Sequence, residues 1–214
     1  MEKQRTLGIA CAIISEIFGI AYLLDGIIIG GFNTDMAVST AQTMIQLTLV
    51  VFMLIGFFTV KKRLLFGAAM VSMVFNGFNY LLDDVAQTFP FDQLFVNNLW
   101  PDATYILIYF VVDIAWVVGI VLVFAATFGK RGHQLVKPGV ILFFCCGSLL
   151  LVNLIFAGIS LSMNNSDNPS GILSCFGDAF ALYEYALAIG YCFDEEKATA
   201  DQDLAEDEPD ALLK

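Results

Sequence analysis

The chain has 214 residues, of which 58% are hydrophobic and 14% charged, with a net charge of −11 and a mean hydropathy of +0.77. A soluble domain carries a charged share nearer ~25%, so a water-soluble globular fold is excluded and lipid is the expected solvent for most of the chain. Nine of the 21 acidic residues lie between Asp194 and Lys214, so much of the negative charge belongs to one terminal segment.

Six apolar runs follow in order, at roughly 8–30, 41–60, 64–83, 103–127, 138–161 and 171–193. Each is near the ~20 residues a helix needs to cross a ~30 Å hydrocarbon core. Backbone amides in lipid must be satisfied within the chain, and no alternating barrel pattern occurs, so helices are the spanning element. The predicted fold is therefore all-α, a polytopic membrane bundle of six transmembrane helices over 1–193, with an acidic, disordered cytoplasmic tail over 194–214.

The basic residues orient it. Lys3 and Arg5 precede the first run, Lys61, Lys62 and Arg63 separate the second and third, Lys130, Arg131 and Lys137 separate the fourth and fifth, and Lys197 and Lys214 follow the sixth. All ten lie at one set of ends, which by the positive-inside rule places both termini in the cytoplasm of a cell-membrane protein.

The first run reads as an uncleaved anchor, because it is longer than a signal-peptide core and lacks a small-x-small site near its outer end. Glu16 sits in its inner half, and Asp25 lies near its outer end. The phrase Gly19-Ile20-Ala21-Tyr22-Leu23-Leu24-Asp25 recurs in the third run as Gly77-Phe78-Asn79-Tyr80-Leu81-Leu82-Asp83, with a faint third copy from Gly147 to Asn153. Three helical hairpins in parallel orientation would give this pattern, and so would chance in so apolar a chain.

The second run carries Gln42, Thr43 and Gln46 on one face. In the third, Ser72, Asn76, Asn79 and Asp83 follow i, i+4, i+7, i+11 and form one polar stripe descending from the outer surface. The loop from Phe89 to Pro101 places Phe91, Leu94, Phe95 and Leu99 on one side of a short helix beside Trp100, the pattern of a segment lying flat on the outer leaflet. The fourth run repeats the polar stripe with Asp102, Tyr109 and Asp113, and Trp116 adjoins it. The fifth adds Asn153, and the sixth adds Asp178, Glu184 and Tyr185. Six residues at ~100° each turn Glu184 about 120° away from Asp178, toward a different seam and toward Glu16.

Ionisable groups within hydrocarbon cost at least ~2.5 kcal/mol each on insertion scales, so an intramembrane carboxylate is by default a site turned away from lipid. Placed together, the stripes predict a polar pocket open to the outer side and floored by Asp113 and Asp178. Asn76, Asn79, Asp83, Glu16 and Glu184 are further candidate ligands for a cation or small solute. The outer loops add Asp35, Asp84, Asp92, Asp102 and Asp167, with no basic residue among them. They can recruit cations, or they can be the positive-inside bias seen from the other face. Asn, Gln and Ser equally suit interhelical hydrogen bonding.

The five cysteines lie within runs without a CxxC pair, and the single histidine, His133, lies in a basic loop, so no metal or cofactor is expected. The leading functional expectation is a small transporter or channel for a cation or a proton-coupled solute. The alternative is a non-catalytic membrane subunit whose acidic tail contacts a protein partner; the bilayer is the partner in either case, and no nucleic acid is expected. A third reading is enzymatic. Phe176-Gly177-Asp178 is similar to the Gly-x-Gly-Asp motif of intramembrane aspartyl proteases, but Cys175 replaces the first glycine and Val112 precedes Asp113 where presenilin-type members carry tyrosine.

Overall fold

The computed structural model describes residues 2–31, 34–88, 91–97, 100–128, 132–163 and 170–206. Among them every regular element is an α-helix: α1 (Glu2–Gly30), α2 (Thr34–Thr59), α3 (Lys62–Thr88), α4 (Phe91–Asn97), α5 (Trp100–Phe128), α6 (Gly132–Met163) and α7 (Ser170–Glu206). Each long helix covers one apolar run to within a residue and extends beyond it at one end or both, because helical hydrogen bonding persists where polar residues meet water. Pro101 stands at the second position of α5, where its missing amide hydrogen has no helical partner to lose.

Five of these helices are long and apolar enough to cross a membrane: Glu2–Ile29, Ala37–Thr59, Trp100–Thr127, Gln134–Met163 and Gly171–Phe193. The chain therefore has the character of a multi-pass membrane protein. The count is one fewer than the six runs suggest. The difference is α3, whose side chains are described only as far as Phe78, leaving too short an apolar stretch between that point and Arg63.

The helices close into a ring. α1 packs on α2, α2 on α3, α3 on α5, α5 on α6, α6 on α7 and α7 back on α1, while α3 also reaches α7 across the ring. α7 is the hub: 61% of its most apolar window is buried, against 22% for α1 and for α2. The outside is apolar, with Ile13, Ile17, Phe58, Val118 and Ile155 all exposed. A surface of that kind is expected where the solvent is hydrocarbon. The core is apolar as well, built around Phe57, Met73, Trp116, Phe143 and Leu182.

Small residues set the closest approaches. A Cβ at Gly56 would meet the backbone of Leu65 at 2.9 Å, and one at Gly147 would meet the Ala179 carbonyl at 2.9 Å. Gly119 receives the Phe143 ring, and Gly77 receives Trp116 and Ile120. Both are packing contacts. The repeated phrase does not translate into equivalent surroundings, since Gly19 has open space where Gly77 is packed.

α2 and α3 join through a two-residue connection. Val60 adopts φ 58° and the Lys61 amide donates to the Gly56 carbonyl at 3.1 Å, a Schellman-type stop that uses valine where glycine is usual. Lys62 opens α3 with its ammonium 5.4 Å from the Tyr191 ring centroid, a cation–π contact at the basic end of the bundle.

In the short α4 Leu94 is buried, whereas Phe95 and Val96 are exposed, and exposed Trp100 at the start of α5 sets its ring edge-on to Phe156 at 5.8 Å. The side chains of Phe91 and Leu99 lie outside the described residues. α7 keeps its helical backbone beyond the apolar run to Glu206. The side chains of 194–206, and all of 207–214, where the acidic tail is expected, lie outside the described residues.

Candidate functional site

Three contacts set the register of α5 on α7. Tyr105 meets Ser174 and Tyr109 meets Asp178, each pair 69 positions apart, and the Trp116 ring packs tilted against that of Tyr185 at the same separation, with ring centroids 5.9 Å apart. Equal separations mean parallel helices, both running toward the basic end. Asp113 therefore stands level with Leu182, about one turn or ~6 Å deeper than Asp178.

Along this seam runs a line of hydroxyls. The Tyr109 hydroxyl donates to Asp178 Oδ2 at 3.1 Å. Ser174 Oγ lies 3.2 Å from the Tyr109 hydroxyl and 3.3 Å from that of Tyr105. The Tyr105 hydroxyl also reaches the Gly171 carbonyl at 3.4 Å, in the first turn of α7. The two tyrosine rings hold each other edge to face at 5.0 Å. Tyr109 donates its one proton to the carboxylate, so its contact with Ser174 uses the Ser174 proton, which the Gly171 carbonyl at 3.3 Å also accepts; the Tyr105 proton likewise has both Ser174 and the Gly171 carbonyl within reach.

Asp113 lies one turn beyond Tyr109 on the same helix face. It is buried at 2% exposure, within electrostatic reach of Cys146 on α6. Asp178 is 9% exposed. The two acids expected to floor a pocket are thus both turned into the bundle, on the inner sides of α5 and α7, which reach each other by side chains inside the ring, and at adjacent depths.

A second polar cluster lies deeper, where α2, α3 and α7 meet. Tyr185, fully buried, is its centre. Asn76 Nδ2 donates to its hydroxyl at 2.9 Å and Gln46 Nε2 at 3.3 Å, while Ser72 Oγ lies 2.7 Å away and donates to Gln46 Oε1 at 3.0 Å. With Ser72 donating to Gln46, Tyr185 donates to Ser72 and accepts from both amides. The hydroxyl of Tyr185 thereby joins three helices. The stripe read in the third run is real at Ser72 and Asn76. The side chains of Asn79 and Asp83 lie outside the described residues.

Glu16 and Glu184 occupy a different seam. Ser15 Oγ donates to the Gly177 carbonyl at 3.1 Å and Phe18 stacks on Phe176 at 5.0 Å, so α1 and α7 are antiparallel and in close contact. Glu184 lies two turns along α7 on the same face as Gly177, and so faces α1. It is fully buried, and neither carboxylate oxygen has a hydrogen-bond donor among the described residues. Half-buried Glu16 and buried Cys11 are within electrostatic reach of it.

Of the outer acids, Asp102 is the one whose side chain is described; it accepts a hydrogen bond from Ser160 on α6, which ties the start of α5 to the end of α6. Asp35, Asp84, Asp92 and Asp167 fall among side chains outside the described residues. Asn153 is buried, and its amide donates to the Tyr105 carbonyl at 3.3 Å.

The sequence reading missed Tyr105 and Ser174. A signal existed in each case. Asp102, Tyr105, Tyr109 and Asp113 follow i, i+3, i+7, i+11, and Ser174 precedes Asp178 by one turn, the same spacing that revealed the stripe in α3. Compared with known protein families, curated proteins and solved structures, the chain matches none.

Proposed function

We propose that this protein is a small multi-pass membrane transporter or channel for a cation, or for a small solute moved with protons, and that Asp113 and Asp178 are its cargo-handling carboxylates. The observation that carries the reading is the burial of both acids on the inner side of one helix seam, with a line of hydroxyls leading to Asp178 from the end opposite the basic loops. An acid is an expensive way to hold helices together, because its charged form loses hydration that an amide never needs. Transport supplies a reason to keep it. Glu16 and Glu184 extend the set of acids on the α1–α7 seam, and the orientation with both termini in the cytoplasm puts the Tyr105 end outside.

One observation favours a second reading, a non-catalytic membrane subunit. The Gln46–Ser72–Asn76–Tyr185 cluster bonds side chains of three helices to one another, which is what interhelical adhesion requires. Replacing Asp113 and Asp178 by Asn separates the two. In liposomes containing the purified protein, ion uptake or current across a panel of cations at two pH values should fall sharply in Asp113→Asn and Asp178→Asn. Wild-type protein that passes no cation and no proton sinks the transport reading.

A further inference from the structure

The transport reading leaves the coupling ion open, and the hydroxyls between α5 and α7 bear on it. We propose, resting on that reading, that Tyr105, Ser174 and Tyr109 are a proton relay feeding Asp178, so that the ion handled at this carboxylate is the proton and not a metal cation.

Three features carry the inference. The oxygens are contiguous: Tyr105 to Ser174, Ser174 to Tyr109 and Tyr109 to Asp178, at 3.3, 3.2 and 3.1 Å, and the protons of Tyr105 and Ser174 can turn between this line and the Gly171 carbonyl, which both reach. Each hydroxyl in that line both donates and accepts, so a proton arriving at the Tyr105 oxygen releases that residue's own proton to Ser174, and the shift repeats until Asp178 is protonated. One O–H bond forms and one breaks at each hydroxyl, with no change of oxidation state, and rotation of the three hydroxyls resets the line. Second, the line spans a gradient of burial. It starts at half-buried Tyr105, beside the Gly171 carbonyl in the first turn of α7, and ends at a carboxylate that is 9% exposed.

Third, the surroundings suit a proton better than a metal ion. The Tyr109 hydroxyl presents its hydrogen to Oδ2 of the carboxylate and so occupies one of the lone-pair positions a metal ion would use. Among the described residues no three His, Cys, Asp or Glu side chains converge as metal ligands. Among the described residues, the titratable groups around Asp178 include Tyr105 and Tyr109 from α5 and Cys175 from α7 itself. Asp113, one turn deeper on the Tyr109 face, is placed to take the proton onward.

The test uses the full chain in phospholipid vesicles with a pH-sensitive dye inside, driven by a potassium diffusion potential, with sodium and potassium fluxes measured in parallel. Wild-type protein should move protons, and more slowly in D2O. Tyr109→Phe removes one oxygen and should cut the proton rate by about tenfold or more, in the range of a lost proton-transfer group. Ser174→Ala interrupts the line elsewhere and should do the same, with both variants checked for intact folding by thermal melting. Tyr183→Phe, which alters the Tyr183–Ser148 pair outside the line, should leave the rate unchanged. Wild-type proton rates in both Tyr109→Phe and Ser174→Ala overturn the relay. Sodium or potassium flux that Asp178→Asn abolishes, without proton flux, overturns it too but leaves the transport reading standing. Absence of every flux in wild-type protein removes both.

Discussion

Tyr185 and Glu184 are neighbours in sequence and opposites in chemistry. The phenol of Tyr185 is saturated by three partners from two other helices. Removing it in Tyr185→Phe strands an amide hydrogen of Asn76 and part of the Gln46–Ser72 pair in a buried setting. Membrane hydrogen bonds average only ~0.6 kcal/mol, but buried unsatisfied groups cost ~1–3 kcal/mol each. Tyr185→Phe should therefore lower stability by about 1–2 kcal/mol, visible as a lower melting midpoint in detergent. Glu184 has the reverse problem, two buried oxygens without a hydrogen-bond donor among the described residues. Glu184→Met, of similar length, should raise the melting midpoint, worth about 1–3 kcal/mol. If the midpoint falls instead, the carboxyl is held by something other than the described side chains. A gain in stability coupled to a loss of transport would mark Glu184 as kept for function, the usual conflict between the two demands.

At the scale of elements, the α2–α3 hairpin is the joint where backbone geometry decides most. Gly56 lies against the Leu65 backbone, and a methyl group there would sit 2.9 Å from backbone atoms that cannot yield. Gly56→Ala should cost about 1–3 kcal/mol through overpacking, and unfolding of the purified protein would measure it. Val60 occupies the left-handed region with a β-branched side chain, a conformation that glycine adopts without penalty. Val60→Gly should stabilise the hairpin by about 1 kcal/mol. A lower midpoint in that variant would mean that the valine side chain, exposed at 48%, contributes more through contact than its backbone costs. The same scale explains α7. Its small residues Gly177, Ala179, Ala181, Ala186 and Ala188 are buried on several sides, which lets it serve as the hub and bring Asp178, Glu184 and Tyr185 against three different neighbours.

For the whole molecule, the two-residue turn at Val60–Lys61 and the packing of α3 on α2 make α3 return alongside its partner. Six crossings put both termini on one side of the membrane and five put them on opposite sides. Reporter tags at Met1 and at Lys214 should therefore be shielded together and exposed together in sealed cells, both facing the cytoplasm by the distribution of Lys and Arg. Tags on opposite faces would remove the sixth span and the orientation with it.

By itself the chain of residues determined that the protein is helical, membrane-embedded and multi-pass, because hydropathy depends on composition over ~20 residues and needs no knowledge of neighbours. It also placed Ser72 and Asn76 on one face, since helical periodicity is local. It could not say which apolar face meets lipid. Val111, Ile114, Val118 and Val121 are exposed on α5 while Val112, Ile120 and Val123 are buried, and no difference in residue type separates the two sides when lipid is as apolar as the core. Nor could it assign Tyr105 and Ser174 to Asp178, or show that Asn76 is engaged by Tyr185. Those contacts join residues from 65 to 109 positions apart, and only the packing of α3 and α5 around α7 brings such groups within hydrogen-bonding distance.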